Sequence, residues 1–239
     1  MQIYNNMSNY NIKFPRTSHF SWSKGTTSDD RIAKNYDNLI GSELVISEKL
    51  DGSNTKQASI GVFARSNAAP TENSWDREMW NIWHRIKNDI PENTQIFGES
   101  LYAIHSIQYK ALDSYYHIFG IIVEDEWLSW DDVEEYAFLL DLPTVPVLKK
   151  CIVTNEKELK ETTFSLTQQP SVYDSYDIQT GEKCNMEGIV CRVANSFNTK
   201  DFSKNVMKIV REKHVKTDIH WKTNWKRQPL KWEIEKLGN

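Results

Sequence analysis

SEKLDGSNTK, residues 47–56, places Lys49 between Glu48 and Asp51 and shortly ahead of Gly52. The apolar residues before it predict a strand, and the Asp-Gly pair predicts a turn after that strand. In one interpretation, the stretch is only a strand that runs into a turn. In the other, the turn presents Lys49 as a nucleophile whose amine attacks a phosphate. The rest of the chain has to decide between the two.

The segments around this turn predict an α+β fold. ELVISEKL (43–50) and SIGVFAR (59–65) are expected to be strands joined by the turn, and residues 75–89 have the apolar spacing of an amphipathic helix. Another helix is expected at residues 131–140. Further strands are expected at residues 94–102, 115–123, 187–194 and 205–212. Because the strands recur without regular helical crossovers, mainly antiparallel sheets fit the pattern better than a doubly wound sheet.

Length and composition suit a single domain over residues 1–239, of which 39% are apolar. Within it, residues 1–40 are expected to be loop-rich and residues 214–239 to form a short basic tail rich in tryptophan. The three cysteines and six histidines lack the spacing of disulfide or zinc motifs, and no apolar run has membrane length. A cytoplasmic, monomeric protein with no membrane partner is therefore expected.

A net charge of −4 argues against a surface that is basic all over, but one segment is strongly basic. Nine lysines or arginines and only two acids lie between Lys204 and Lys231, interleaved with Trp221, Trp225 and Trp232. Cations that meet phosphates and rings that stack on bases are what a nucleic-acid surface needs. The alternative is a solvated C-terminal helix that is held down by its aromatic residues.

Further segments follow Lys49-x-Asp51-Gly52 in a fixed order. They are VFARS (62–66), FGESLY (97–102), HIFGI (117–121), MEGIVCR (186–192) and VMKIVRE (206–212). The series resembles the covalent nucleotidyltransferase superfamily of polynucleotide ligases and capping enzymes. FPRTSHFSW (14–22) and REKHVKTDIHW (211–221) resemble the flanks of the Deinococcus-type RNA ligase branch. The resemblance implies the ligase nucleotidyltransferase fold, with mainly antiparallel sheets flanked by helices around a nucleotide cleft.

The resemblance also implies an activity. It points to an ATP-dependent RNA ligase that joins a 3′-hydroxyl end to a 5′-phosphate end through lysyl-AMP and RNA-adenylate, sealing nicks or breaks. ATP, Mg²⁺ or Mn²⁺, and RNA, also within a nicked duplex or an RNA/DNA hybrid, would be its cofactors and partner. An ATP-dependent DNA ligase or a capping-type nucleotidyltransferase is an alternative, but both usually carry an OB-type barrel after the last motif, and no such C-terminal domain is expected here. A non-catalytic RNA-binding protein descended from a ligase is the other alternative.

The resemblance assigns three catalytic residues. Lys49 would be the adenylated nucleophile, Lys208 would lie beside the α-phosphate, and Glu187 would organise the catalytic metal. A free lysine amine has a pKa near 10.4, so a nucleophilic Lys49 needs neighbouring cations or burial to lower that pKa. Lys208 and a bound metal are expected to supply the positive charge. Carboxylate oxygens such as those of Glu187 suit a hard divalent cation.

Five further residues are expected to bind the nucleotide. The resemblance implies that the backbone of Glu48 reads the adenine edge, that Glu99 accepts hydrogen bonds from the ribose, and that Phe119 stacks on the adenine. Asn54 and Arg65 match positions near the phosphates, and a guanidinium suits bidentate phosphate contact. The structural alternatives are a solvent-facing strand acid for Glu48, a strand-edge acid for Glu99 and a core ring for Phe119.

The last motif departs from the family pattern at one position. The family commonly has two lysines separated by one residue, whereas Lys208 is followed by Val210 in the second position and Arg211 comes one residue later. On a strand, Lys208 and Val210 share a face and Arg211 points to the other. Arg211 is therefore expected to replace the missing cation only if a bulge turns it inward.

Overall fold

The computed structural model describes residues 12–65, 69–212 and 221–237. Its strands are β1 (Ser18–His19), β2 (Glu43–Lys49), β3 (Ser53–Ala58), β4 (Gly61–Ala64), β5 (Thr94–Ser100), β6 (Ile107–Tyr109), β7 (Tyr116–Val123), β8 (Glu126–Trp127), β9 (Val147–Ile152), β10 (Ser175–Asp177), β11 (Gly188–Val193), β12 (Phe197–Asn198) and β13 (Val206–Val210). Its α-helices are α1 (Arg77–Ile86), α2 (Trp130–Leu139), α3 (Glu156–Leu166), α4 (Phe202–Asn205) and α5 (Lys231–Leu237). Short 3₁₀ turns cover Ser74–Asp76, Lys87–Asp89, Thr199–Asp201 and Trp221–Asn224.

One large sheet has five strands in the order β1-β13-β11-β2-β9. Strands β2, β11 and β13 lie side by side and antiparallel, and Gly188 of β11 is paired with Lys49 of β2. Val190 of β11 is paired with Lys208 of β13. The register therefore brings the ends of three segments that are distant in sequence to the same part of one sheet.

The other large sheet has six antiparallel strands in the order β12-β8-β7-β5-β3-β4. Asn54 of β3 is paired with Glu99 of β5, which is paired in turn with His117 of β7. The three residues Leu50, Asp51 and Gly52 connect β2 of the first sheet to β3 of the second. The turn after Lys49 is thus also the crossing point between the sheets.

Two clusters of buried apolar side chains hold the sheets together. Helix α1 buries Met79, Ile82 and Ile86 in the first cluster, as its spacing predicts. The second cluster joins residues of β2, β11 and β13 to Phe97 of β5. Phe119 of β7 is half-buried and packs against both clusters, so it lies where the two cores meet.

The predicted fold class is confirmed, because the sheets are mainly antiparallel and are flanked by helices. One strand was missed. The polar segment Ser53–Ala58 is itself a strand, and the next strand begins at Gly61 rather than Ser59. Ile60 lies in the turn between them and is 45% exposed. Helix α3 lies in a stretch for which no element was predicted. Asn155 caps its N-terminus, because the Asn155 side chain accepts a hydrogen bond from the Glu158 N–H.

The two ends of the described chain run along this core. Between residues 12 and 40, the only strand is β1, which pairs in parallel with β13. At the other end, Arg227 forms a β-bridge with Ala103, and α5 follows. Among the described residues, no helix has both the length and the apolar character needed to cross a membrane.

Candidate active site

Lys49 lines a cavity of about 400 Å³ whose walls come from both large sheets. Its Nζ lies 2.6 Å from Oε2 of Glu187. This contact follows from the register, because Gly188 faces Lys49 across the β2–β11 ladder and Glu187 is the residue before it. A Cβ on Gly188 would collide with the carbonyl oxygen of Ile209, so glycine allows β11 and β13 to approach closely at this point.

The pair with Glu187 keeps the Lys49 amine charged. Burial lowers the pKa of Lys49, but the charge and the hydrogen bond of Glu187, with a further contribution from Glu99 where that carboxyl is ionised, outweigh burial and raise that pKa above its usual value. Neighbouring cations or burial were expected from the sequence to lower the pKa of Lys49. That prediction is wrong for the protein's own side chains, which raise this pKa. The physical reason is that the charge closest to the amine is a carboxylate rather than a cation.

Lys208 lines the same cavity from β13. Burial and the positive charge of Lys49 lower its pKa, so the two lysines are close enough to repel each other. The Lys208 side chain is 20% exposed, and its Nζ lies 4.0 Å from Oδ1 of Asp30. The structure thus brings Lys49, Lys208 and Glu187 together, as the sequence predicts.

His19 and Asp30 belong to this neighbourhood but were not predicted as site residues. His19 is paired with Lys208 in the β1–β13 ladder, and its Nε2 lies 3.3 Å from Oδ1 of Asp30. Burial and the charge of Lys208 lower the pKa of His19 to about 4, so this ring is neutral at pH 7. His19 lies in the segment FPRTSHFSW that carries part of the resemblance, but only the pairing of β1 with β13 shows that it and Asp30 are neighbours of Lys208.

Arg211 does not take the place of the second motif lysine. Its Nε donates a hydrogen bond to the Met186 carbonyl oxygen at 3.0 Å, and its backbone N–H donates to the Glu187 carbonyl oxygen. Val210 is 4% exposed. Strand β13 is regular as far as Val210, so no bulge turns Arg211 toward Lys208.

Asp51 fixes the turn that follows the nucleophile. Its Oδ2 accepts hydrogen bonds from the Ser106 N–H at 2.8 Å, the Ser106 hydroxyl at 2.6 Å and the Ile107 N–H at 2.9 Å. Its own N–H donates to the Tyr109 hydroxyl at 2.8 Å. A Cβ on Gly52 would collide with the Ser100 carbonyl oxygen, so close approach explains that glycine. Both residues therefore have conformational roles.

We expect Asp51→Ala to lower the free energy of unfolding by about 3–5 kcal/mol, because it leaves buried N–H donors without an acceptor. Asp51→Asn keeps one acceptor oxygen and should cost only about 1 kcal/mol. Urea unfolding of both variants beside the wild type measures the difference. A loss below about 1 kcal/mol for Asp51→Ala would contradict the anchoring role.

Glu99 and Asn54 line the cavity next to Lys49. Burial raises the pKa of Glu99 to about 8, helped by the charge of Glu187 and opposed by Lys49. Glu99 is therefore mainly protonated at pH 7 and can both donate and accept a hydrogen bond. The Asn54 side-chain oxygen is buried and accepts no hydrogen bond from the described residues. An unsatisfied buried acceptor is costly, so a ligand that donates to it would be stabilised here.

An aromatic wall closes another part of the cavity. Phe119 and Val190 line it from the two sheets, and Phe14 of the N-terminal segment packs edge-on against Phe119 with ring centroids 5.3 Å apart. Arg65 also lines the cavity, lies 5.9 Å from the Phe14 ring centroid and donates to the Pro15 carbonyl oxygen at 3.3 Å. The N-terminal segment therefore holds the residues expected to bind base and phosphate.

Glu48 is not a solvent-facing strand acid. Its side chain is 1% exposed, and its Oε2 accepts a hydrogen bond from the Val172 N–H at 3.2 Å. Burial raises the pKa of Glu48 to about 7. The side chain thus ties the loop around residue 172 to β2 next to the nucleophile, while the predicted role of its backbone stays a prediction.

The residues around Lys49 fit a divalent metal that completes its shell with ligand oxygens. In the described ranges, no three His, Cys, Asp or Glu side chains converge in a closed metal site. Glu187 and Glu99 nevertheless both act electrostatically on Lys49, so two carboxyl groups share its surroundings. Mg²⁺ typically binds through one or two carboxylates together with substrate phosphates. This donor set suits such an ion and not a metal that needs an all-protein cage.

Comparison with known proteins identifies the family. The sequence model of the RNA ligase family matches residues 42–210. The chain belongs to the RNA ligase family. The predicted membership is therefore confirmed at this level, while the assignment to the Deinococcus-type branch stays a prediction. No significant relative was found among curated proteins.

Solved structures of RNA ligases share the fold. A variant of the Naegleria gruberi RNA ligase has 17% identity and a TM-score of 0.50, covering 85% of this chain and 60% of its own. An archaeal ATP-dependent RNA ligase has 11% identity and a TM-score of 0.51, covering 84% of this chain and 48% of its own. The chain thus spans about half to three fifths of these RNA ligases, and the likeness supports a common ligase fold.

Proposed function

We propose that the protein is an ATP-dependent RNA ligase that works through covalent lysyl-AMP. The observation that carries the proposal is that Lys49 and Lys208 line one cavity and that Glu187 lies 2.6 Å from the Lys49 amine. These residues come from three motifs of a chain that belongs to the RNA ligase family. A non-catalytic descendant would be free to lose this constellation, because RNA binding alone does not require it.

In the proposed first step, Nζ of Lys49 attacks the α-phosphorus of ATP. A nitrogen–phosphorus bond forms, the bond from the α-phosphorus to the bridging oxygen breaks, and pyrophosphate leaves. The amine loses a proton, for which the Glu187 carboxylate at 2.6 Å is the closest acceptor. Lys208, on the adjacent strand, stabilises the charge that builds on the phosphate oxygens.

In the second step, an oxygen of the RNA 5′-phosphate attacks the same phosphorus. The nitrogen–phosphorus bond breaks, Lys49 regains its proton, and AMP is transferred to the RNA end. In the third step, the 3′-hydroxyl oxygen of the other RNA end attacks the phosphorus of the adenylated 5′-phosphate and loses its proton. A phosphodiester bond forms, the bond from that phosphorus to the oxygen bridging to AMP breaks, and AMP leaves. Phe119 would hold the adenine by stacking throughout, and Glu99 and Asn54 lie beside Lys49 where ribose and phosphate oxygens would lie.

A divalent cation held by Glu187 would add positive charge beside the Lys49 amine and the phosphates, which lowers the amine's pKa and stabilises the leaving group. Glu187 would then have two partners in turn, the amine and the metal. This exchange explains how a site whose own side chains raise the pKa of Lys49 can still use it as a nucleophile.

The test is strand sealing. With ATP and magnesium, we expect the protein to join an RNA 3′-hydroxyl end to an RNA 5′-phosphate end on a complementary strand, and to seal the all-DNA version of that nick more slowly. Product is measured on a denaturing gel, with a 5′-hydroxyl strand as the control that cannot react. Sealing of the DNA nick alone would favour a DNA ligase. Absence of both sealing and AMP attachment would favour the non-catalytic alternative.

A further inference from the structure

The C-terminal segment is docked along the body of the protein, next to the cavity. The Ile104 N–H donates to the Lys226 carbonyl oxygen at 2.9 Å, and the Gln228 N–H donates to the Tyr102 carbonyl oxygen at 2.8 Å. The Gln228 side chain is buried and binds both backbone polar groups of Tyr109, whose hydroxyl accepts the Asp51 N–H. The segment therefore has a fixed position relative to the turn that follows Lys49.

In the docked segment, the three tryptophans of the basic sequence have different environments. Trp225 packs against Tyr102, and its indole N–H donates to the Ser74 hydroxyl at 3.1 Å, so it anchors the segment. Trp232, on α5, is 51% exposed and has the Lys236 ammonium 4.7 Å from its ring. Trp221 is the one that lines the cavity. The aromatic residues of the segment thus differ in role although the sequence presents them alike.

Trp221 belongs to a cluster at the edge of the cavity, which we call the mouth cluster and define as Trp75, His105, Trp221 and Lys222. The Trp221 ring stacks on His105 with centroids 3.9 Å apart and meets Trp75 edge-on at 5.4 Å. The Lys222 ammonium lies 5.6 Å from the Trp75 ring and 5.7 Å from the Trp221 ring. Trp75 and Trp221 are half-buried, and Lys222 is exposed.

The mouth cluster is connected to the nucleophile's turn. Nε2 of His105 lies 3.2 Å from the hydroxyl of Ser53, the residue that follows Gly52. The acid closest in sequence to Trp75 is Asp76, which is 1% exposed and accepts hydrogen bonds from Thr71 at 2.6 Å and Asn73 at 3.0 Å. Among the four residues of the cluster, Lys222 supplies an exposed cation beside the aromatic rings.

We propose that the mouth cluster binds the 5′-terminal nucleotide of the RNA strand that brings the 5′-phosphate. The inference rests on the proposed function, because it places this strand beside AMP-bearing Lys49. Aromatic rings next to a cation fit a nucleobase with its phosphate, whereas pyrophosphate would need cations alone. The cluster is in reach of a strand bound beside Lys49, because Trp75, Trp221 and Lys222 line the same cavity as Lys49 and His105 contacts Ser53 in the turn after it.

The experiment measures binding of a short 5′-phosphorylated single-stranded RNA by fluorescence anisotropy, without ATP, over a series of salt concentrations. We expect Trp221→Ala to weaken binding roughly 10-fold, the loss that corresponds to one stacked base, and Trp221→Phe to restore most of it. Lys222→Ala should reduce the slope of log K against log salt by about 0.7, the value for one phosphate contact on a single strand. Thermal unfolding confirms that each variant is folded.

Trp232→Ala is the matched control, because it removes an exposed tryptophan from the same basic segment but outside the cavity. It should bind RNA like the wild type. Equal weakening by Trp221→Ala and Trp232→Ala, or no weakening by Trp221→Ala, overturns the proposal. So does weaker ATP binding with unchanged RNA binding. AMP attachment to the wild type is measured in parallel. Its absence would contradict the proposed function, whereas the comparison of RNA binding between the variants tests the role of the mouth cluster independently.

Discussion

Replacing Lys49 with alanine is expected to abolish the gain of one AMP in mass that the wild type shows after incubation with ATP and magnesium. The reason is chemical, because Lys49 lines the cavity with its amine 2.6 Å from Glu187 and with the second cation, Lys208, beside it. Intact-mass spectrometry detects the adduct directly, and removal of pyrophosphate during the reaction allows it to accumulate. The expected adduct in Lys49→Ala is zero within detection.

Lys49→Arg is the control for this variant. A guanidinium keeps the positive charge that Glu187 pairs with, so the folded site loses little electrostatic stabilisation, but it is always protonated and is not a nucleophile. Lys49→Arg should therefore unfold at nearly the wild-type temperature and still carry no AMP. An adduct in either variant would show that another residue is the acceptor, with buried Lys56, whose pKa burial lowers to about 8, as the first to examine.

Much of the site could be predicted because its residues lie in local patterns. Lys49, Glu99 and Glu187 each fall in one of the ordered motifs that carry the family resemblance, and that resemblance implied which residues meet. The pairing of Gly188 with Lys49 then follows from an antiparallel register. The ordered motifs were therefore sufficient to predict that Lys49, Glu187 and Lys208 converge.

The rest depends on contacts between residues distant in sequence. Strand β3 was missed because most of its residues, SNTKQA, are polar. Thr55, Lys56 and Gln57 are nevertheless buried. The buried side chains face the cavity region and the N-terminal segment, where Lys56 donates to the Ile12 carbonyl oxygen at 3.3 Å. A strand whose inward face is polar has no apolar alternation, so periodicity cannot detect it.

The electrostatics of the site also could not be predicted from the sequence. The pKa of Lys49 depends on whether a carboxylate or a cation is its closest neighbour, and that neighbour, Glu187, is 138 positions away in the chain. The neutral state of His19 depends likewise on burial and on Lys208. Motif spacing identifies residue types, but the sign of a pKa shift follows from distances that only the folded chain defines.

Glu187→Gln is expected to slow AMP attachment to Lys49 by roughly 100-fold, the scale of losing one electrostatic contact to the reacting group. Glutamine preserves the shape of the side chain, and the Glu187 carbonyl oxygen that accepts the Arg211 N–H belongs to the backbone, so the β11–β13 junction is retained. The measurement is the initial rate of adduct formation by intact mass, at several magnesium and manganese concentrations. Glu182→Gln, an exposed acid in the same part of the chain, is the matched control and should react at the wild-type rate.

The metal series distinguishes the two roles that Glu187 combines in the proposal. If its carboxylate holds the metal, Glu187→Gln weakens metal binding, so the metal concentration for half-maximal rate rises and excess metal recovers part of the lost rate. If the carboxylate only pairs with the Lys49 amine at 2.6 Å, the metal requirement stays the same and no metal concentration recovers the rate. The second result would contradict the metal-binding role and leave Glu187 as the proton acceptor alone. A rate within about threefold of the wild type would contradict both roles, because a group that contacts the nucleophile during the reaction cannot be replaced at so little cost.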